Sequence, residues 1–525
     1  MKKIHSLLIS ILTLSLLAGC GAASGGNAAS AGNTQTVSGT EIQFSDSKVT
    51  TASTDGVTID GTALTITASG TYVLSGSCAN GSVTVEKGVD GVTLVLNGLT
   101  LTSKTTAPIL CGKGSAVTIE AADGTENTLT DTEENNADTG SVNGENAVIK
   151  CKDGSRVVLC GAGTLNIQAN GKNGIKSGTA TADGEASLTI RNLTLNIDAP
   201  VNDAVNAEAA LEVESGVLTL SAGDDALHCD YTLNIGAEGT DGPDVTITAC
   251  SEGLEGAAVN VFSGNVSIQS TDDCINAANA DLTDFTYALN ISGGTIAARS
   301  DSGDGFDSNG DLTISGGHVT VWTANAADNE PLDADGTVTV SGGTVLAAGG
   351  SSGMGMNLAA NQPCVIFGGD TAGRLGGHTT PEQPNGNEQL DGTQQPNGET
   401  RPARGGFSGG ASLLAQGSAF TVADSSGTAL YTGEAVYNAS FVFFSSGDLS
   451  EGESYTLSYG ETQTESAAQT GTVSIGMGNM GGPGGQKPDG APPSGGFNGQ
   501  RPEGDTPRAK PEGENTPNNG SDAKA

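Results

Sequence analysis

The sequence predicts an all-β solenoid, a single-stack parallel β-helix, from three observations. A four-residue phrase recurs down the middle of the chain: acid or amide, small residue, apolar residue, polar or acidic residue. It reads Asn173–Lys176, Asp203–Asn206, Asp225–His228, Glu252–Glu255, Asp273–Asn276, Asp304–Asp307 and Glu330–Asp333, with starts 30, 22, 27, 21, 31 and 26 residues apart. Spacings of roughly 20 to 30 residues with strand-like content mark a stacked repeat. Each repeat also carries two short alternating apolar runs around a Gly turn, as in residues 288–298, 311–322 and 337–348. Alternation puts Leu289 and Ile291, Leu312 and Ile314, and Val338 and Val340 on one strand face. Thirdly, helical periodicity is almost absent after the first 20 residues.

Such strands are too short to enclose a core, so burial has to come from stacking coil on coil. A β-propeller blade needs about 40 residues or more, which this period cannot hold, and a β-sandwich is the other alternative with many short strands. Parallel crossovers are overwhelmingly right-handed, which sets the expected hand.

In order along the chain, residues 1–20 read as an export signal. Lys2 and Lys3 precede an apolar run and then Leu17-Ala18-Gly19-Cys20, too short and wrongly flanked for a spanning helix. The last four residues resemble the lipobox of bacterial lipoproteins, which implies lipidation at Cys20 and a mature protein held at the extracellular face of the cytoplasmic membrane. Residues 21–40, rich in Gly, Ala, Ser and Asn, read as a flexible tether. Residues 41–369 form the predicted β-helix, since TYVLSG (71–76), VTLVLNGLTLT (92–102) and AVTIEA (116–121) continue the pattern upstream. Residues 370–411 read as a low-complexity insertion, 412–472 return to strand content, and 473–525 form a Gly/Pro-rich tail expected to be disordered.

Charge narrows the chemistry. The formal net charge is −39, and between Arg191 and Arg374 the only basic Lys or Arg is Arg299. Nucleic acid is excluded as a partner, because phosphate contacts need Lys and Arg; no nucleotide-binding motif appears either. Carboxylates stacked one β-spacing apart, about 4.8 Å, repel by about 3.5 kcal/mol at an effective dielectric of about 20. Water, amides or divalent cations relieve that, and carboxylate oxygens are the hard ligands calcium prefers. Calcium is therefore the expected cofactor. The expected ligands are Asp203, Asp225, Glu252, Asp273 and Asp304 in the first column and Asn206, Glu255, Asn276, Asp307 and Asp333 in the second, with Asp224 and Asp272 adjacent. The competing account is structural: Asp and Asn at coil corners satisfy backbone N–H groups. In a straight strand the first acid would share a face with the apolar residue two positions on, so the reading requires a bend at the small residue.

Eight cysteines follow Cys20, with no CxxC or Cys/His zinc pattern. They read mainly as small apolar core residues, although an exported protein could pair Cys229 with Cys250 if they stack in neighbouring coils.

Several phrases then match a known group in order: GTYVLSG (70–76), VTLVLNGLTLT (92–102), GTENTLTD (124–131), GAGTLNIQANGKNGIKS (161–177), the aspartate coils and FFSSGDLSEGESYTL (443–457). They resemble the clostridial and other Gram-positive exported proteins known as carbohydrate-binding domain-containing proteins, over roughly 41–365 and 412–460. The resemblance implies a right-handed parallel β-helix similar to polysaccharide lyases, which binds cellulose and acidic sugars and carries calcium. The calcium-associated residues carry over only to the phrases at 203–206, 225–228, 252–255, 273–276 and 304–307.

The leading expectation is a lipid-anchored, calcium-dependent polysaccharide-binding protein. A neutral cellulose surface needs an aromatic platform, and the sequence offers only Trp322 with Tyr231, Phe262, Tyr287 and Phe306. Acidic polymers of the pectin type, bridged through calcium, are accordingly preferred over crystalline cellulose. The main alternative is a pectate-type lyase; the bases near the coils are Lys172, Lys176, Arg191 and Arg299, and Lys176 with His228, two coils later in the same column, is the best candidate pair. Glycoside hydrolysis by two carboxylates and a non-enzymatic adhesin or envelope spacer with structural calcium complete the set.

Overall fold

The computed structural model describes residues 38–179, 186–279, 282, 285–324, 329–350, 356–369 and 412–475. Cys20 and the export signal, most of the tether, the 370–411 segment and the chain from 476 onward lie outside the described residues.

Between Ser82 and Gly349 each coil contributes strands to three parallel sheets. In one coil these are Val205–Ala207, Ala210–Val213 and Gly216–Ala222; in a later one they are Phe306–Ser308, Asp311–Ile314 and His318–Thr323. Strands pair in parallel with their counterparts one coil away, Val205 with Leu227 and Thr194 with Val217 among them, with irregularities such as that between Cys229 and Thr232. This is the predicted all-β, stacked parallel β-helix.

The apolar positions alternate inward, and stacking aligns them. In the first sheet the inward column runs Leu64, Val83, Ile109, Ile149, Ile175, Val205, Leu227, Leu254, Ile275, Phe306, Leu332. Each of these residues is at most 1% exposed. A single coil could not bury them; its two neighbours do. Outward amides also stack: Asn290 Nδ2 donates to Asn260 Oδ1 (3.0 Å), Asn260 to Asn234 (2.9 Å), and Asn234 to Glu212 (2.7 Å). The recurring Ser-Gly-Gly turns stack as well, with φ of +82°, +82° and +77° at Gly294, Gly317 and Gly343. A Cβ on Gly317 would meet Gly294 O at 2.7 Å, so the turn requires glycine for both conformation and space.

The end of the stack differs from the sequence expectation. Strand Phe441–Ser446 inserts antiparallel between Thr344–Gly349 and Met356–Gly368, which ends the parallel stack. All six of its residues are buried. The surrounding chain forms a separate four-stranded antiparallel sheet of Ala419–Ala423, Ala429–Glu434, Ser454–Tyr459 and Thr462–Ala467. It packs Phe420, Val422 and Leu457 against Trp322, Leu346 and Phe444.

No disulfide joins the eight described cysteines, all of which are buried. The Cys229–Cys250 pairing does not form: Cys229 lies opposite Gly256 in the first sheet, while Cys250 follows strand Pro243–Ala249 of the third. Neighbouring coils place them in different sheets.

Candidate functional site

The recurrent phrase enters the first sheet at a corner. The chain bends at the small residue (Ala204, Ala226, Gly253, Cys274, Gly305), and the strand begins at the next, apolar residue. This is the bend the sequence reading requires: the acid stays outside while the apolar residue two positions on points inward. Gly305 is obligatory, since a Cβ there would overlap Val321 Cγ2 and Pro331 O.

The phrase therefore makes two outward columns. In the first, one side-chain oxygen caps the next coil: Asn173 Oδ1 accepts the Asp203 N–H (3.3 Å), Asp203 Oδ1 that of Asp225 (3.2 Å), Asp273 Oδ1 that of Asp304 (2.6 Å) and Asp304 Oδ1 that of Glu330 (2.5 Å). The structural role open to these acids is thus real and uses one of each carboxylate's two oxygens. The second column pairs strictly in register through Lys150, Lys176, Asn206, His228, Glu255, Asn276 and Asp307.

Within a coil the columns meet. Asn206 Nδ2 donates to Asp203 Oδ2 (2.5 Å), and Asn276 Nδ2 donates to Glu252 Oε2 of the preceding coil (3.0 Å). His228 is held by three carboxylates: Nδ1 faces Glu255 Oε2 and Asp225 Oδ2 (3.3 Å), and Nε2 faces Asp230 Oδ1 (3.1 Å). Burial alone would push the imidazole pKa down, but hydrogen bonds to Asp225, Asp230 and Glu255 outweigh it and hold His228 protonated well above its ordinary range. An imidazolium whose nitrogens are both engaged does not serve as a base.

Beyond His228 toward Asp333, no Lys, Arg or His among the described residues stands in the ladder. Burial, reinforced by neighbouring carboxylates, raises Asp203 to about 6, Asp273 and Asp304 to about 7, and Glu252 and Glu330 to about 8. Asp307 and Asp224 shift the same way for the same cause.

Two groups bring carboxylate oxygens within 4.8 Å of one another without an internal base, Asp304/Asp307/Asp333 and Asp203/Asp224/Asp225. Oxygens so spaced fit around a hard divalent ion with ligand distances of about 2.3–2.6 Å. Asn276 Oδ1, one rung before Asp307, is buried and accepts no hydrogen bond. An amide oxygen of that kind is a normal calcium ligand. The third group, Asp225/His228/Glu255, already holds its cation in the imidazolium. Of the remaining expected ligands, Asp272 and Asp273 lie at the next corner, where Asp273 spends one oxygen on the Asp304 amide.

Lys176 is tied to Asn206 Oδ1 (2.8 Å) and Glu208 Oε1 (3.3 Å). Lys172 pairs with Asp138, Arg191 with Glu214 (3.7 Å) and Arg299 with Gln269. Among the aromatic candidates, Phe306 and Trp322 are core residues at 0% and 2% exposure, which removes them from any platform. Tyr287 is anchored by its hydroxyl to Asn279 O and Leu282 O, and Phe262 is half-buried. Tyr231 is 42% exposed, meets Phe285 in a T-shaped contact at 6.0 Å, and stands beside Asp230 at the irregularity in strand Leu227–Ile235. A shallow depression of about 410 Å³ on the third sheet, lined by Asn166, Gln168, Asn196, Asp198 and Ser221, carries one carboxylate and none of this chemistry.

Sequence reasoning misses Asp230, Glu208 and Lys150. Glu208 and Asp230 follow the phrase by two residues in their coils and are visible as a repeated acid; Lys150 heads the column from strand Ala147–Cys151, which lacks the acid phrase.

A stacked β-helix with an outward polar ladder along one sheet defines the class. The family model described as "Carbohydrate-binding domain-containing protein" matches residues 60–353 and 238–450, and the chain belongs to that family. A carbohydrate-binding domain-containing protein of Acetivibrio thermocellus is 36% identical over 125 residues, which is 24% of this chain and 43% of that protein. The chain thus spans under half the length of this curated relative. A solved structure, the polysaccharide lyase-like protein from C. thermocellum as a gadolinium derivative, aligns at 24% identity and a TM-score of 0.30, covering 58% of this chain and 93% of that one.

Proposed function

We propose that this carbohydrate-binding protein is a cell-surface, calcium-dependent binder of acidic, pectin-like polysaccharide, anchored through a lipid on Cys20. The observation that carries the reading is the Asp304/Asp307/Asp333 group: three carboxylates meet with no base beside them among the described residues, and one rung away the buried Asn276 Oδ1 accepts no hydrogen bond from those residues. A bound calcium would neutralise that group and offer remaining coordination sites to uronate carboxylates, which a bare acidic face would repel. Preference over crystalline cellulose is supported by the aromatic distribution, since Phe306 and Trp322 are internal and Tyr231 stands nearly alone as an exposed ring among the described residues. The lyase alternative loses support because Lys176 and His228 are both held by acceptors. Calcium titration by calorimetry, repeated with and without oligogalacturonate, tests the proposal. Calcium uptake that strengthens oligomer binding is expected; oligomer binding unchanged by excess chelator would refute the bridge.

A further inference from the structure

The second outward column changes sign along its length. Leu110 precedes Lys150 and Lys176; Asn206 and His228 follow; Glu255, Asn276 and Asp307 complete the paired rungs, with Asp333 grouped beside Asp307. From Lys150 to Asp333 the column spans about 34 Å at about 4.8 Å per rung.

The other cations around its basic end are engaged. Lys152 pairs with Glu145, Lys172 with Asp138, and Lys176 with Asn206 and Glu208. Lys150 is half-buried, and its side chain makes no hydrogen bond or ion pair among the described residues. Its outward neighbour on one side is the Lys176 side chain and on the other Leu110. Burial and then the Lys176 ammonium push its pKa down, and the Glu208 carboxylate offsets them only in part, so the fold gains little from this charge. An unpaired ammonium at the head of a polar column, with a neutral rung beyond it, is placed to receive an anion from outside.

We propose that Lys150 is a metal-independent carboxylate subsite: a uronate carboxylate of a polysaccharide lying along the column binds its Nζ directly, while the carboxylates toward Asp333 are bridged by calcium. This rests on the acidic-glycan reading above and adds to it a polarity, with one end of the polymer face read by an ammonium and the other through a divalent ion. The chemistry selects a free carboxylate over its methyl ester, which carries no charge and cannot form an ion pair with the ammonium.

The test uses the full chain with oligogalacturonate and its methyl ester, titrated calorimetrically in calcium and in excess EDTA. K150Q should weaken oligogalacturonate binding about tenfold, a typical ratio for one charge-assisted hydrogen bond. K150R should retain it, the methyl ester should be unaffected, and the calcium isotherm should be unchanged. K150Q should also melt no lower than the parent, since it removes a repulsion from Lys176. Oligogalacturonate affinity equal to that of the parent in both conditions overturns the subsite, as does failure of the parent to bind that oligomer at all. If calcium fails to bind while K150Q still weakens the oligomer, the calcium bridge falls and the lysine subsite stands. If calcium assists binding and K150Q changes nothing, the bridge stands and the subsite falls.

Discussion

Proton and metal should compete for the ladder, and stability should report it. In excess chelator, the perturbation is a rise in pH from 5 to 8. A carboxyl group raised by folding holds a proton that the unfolded chain has already released, so the native state binds more protons and stability falls as pH rises. The loss begins near the ordinary Asp value, about 4. It runs to about 6 for Asp203, about 7 for Asp273 and Asp304, and about 8 for Glu252 and Glu330. His228 acts in the same sense: its raised pKa favours the fold fully below the unfolded value near 6.5, and that contribution fades above it.

Asp203 gives the cleanest magnitude because it is only 2% exposed. A rise from 3.8 to about 6 corresponds to about 3 kcal/mol over the full titration at about 1.4 kcal/mol per unit, of which about 1.4 kcal/mol, the part between pH 5 and about 6, is lost in this scan. The more exposed rungs contribute less apiece through solvent screening, and coupled groups do not add. Scaled to several hundred residues, about 1 kcal/mol moves the melting temperature by about 1 °C. Scanning calorimetry in EDTA should therefore show a fall of at least about 1 °C between pH 5 and 8 from Asp203, and more as the rungs raised to about 7 and about 8 titrate inside that window. Calcium at about 100 times its dissociation constant adds about 2.7 kcal/mol per site, which should raise the melting temperature by about 3 °C at pH 8 and much less at pH 5. A melting temperature that is flat or rising in EDTA, or a calcium shift equal at both pH values, would rule out competition between proton and metal at these carboxylates.

Three further outcomes follow from single side chains. H228Q removes the imidazolium from among Asp225, Asp230 and Glu255; it should cost about 2–3 kcal/mol by urea unfolding in chelator, with part of the loss recovered in calcium. Asn127 is fully buried, accepts from the Gly98 and Leu99 amides at 2.9 Å each, and donates to Thr125 Oγ1 and Thr164 O. N127A strands those groups and should lower stability by about 2–3 kcal/mol in the same assay. G305A drives a methyl into Val321 and Pro331 O; it should destabilise by about 1–3 kcal/mol and, by displacing Asp304, weaken calcium uptake measured by calorimetry.

The coil period is legible because one requirement, an inward apolar residue two positions after an outward acid, repeats in every turn from Asp203 to Asp333. What the pattern cannot give is the division of labour among oxygens. Periodicity places Asp304 at a corner but does not say that its Oδ1 accepts the Glu330 amide. Nor can it reveal the grip of Asp230 on His228, which depends on the irregular pairing between Cys229 and Thr232. The closing strand Phe441–Ser446 reads as strand content, but a six-residue run buried on both faces looks alike for parallel and antiparallel pairing. Its partners Thr344–Gly349 and Met356–Gly368 lie far upstream, across the 370–411 segment.

That division of labour decides which substitution isolates the metal. Asp304 both caps a backbone amide and belongs to the acidic group, so its removal confounds fold with charge. Asp307 belongs to the second column, follows the strand rather than the corner, and lies beside Asp333, which raises its pKa after burial does. D307N keeps the shape, supplies an amide oxygen and deletes one of three converging charges. In chelator it should leave the melting temperature unchanged or slightly raised, because a like-charge contact is relieved. In calcium it should weaken the ion by at least about tenfold, since a neutral oxygen replaces a charged one in a site whose affinity is tuned by ligand charge. A chelated D307N protein destabilised by more than about 1 kcal/mol, with calcium affinity intact, would mean that the carboxylate serves the fold and that the ladder's crowding has a purpose other than holding a cation.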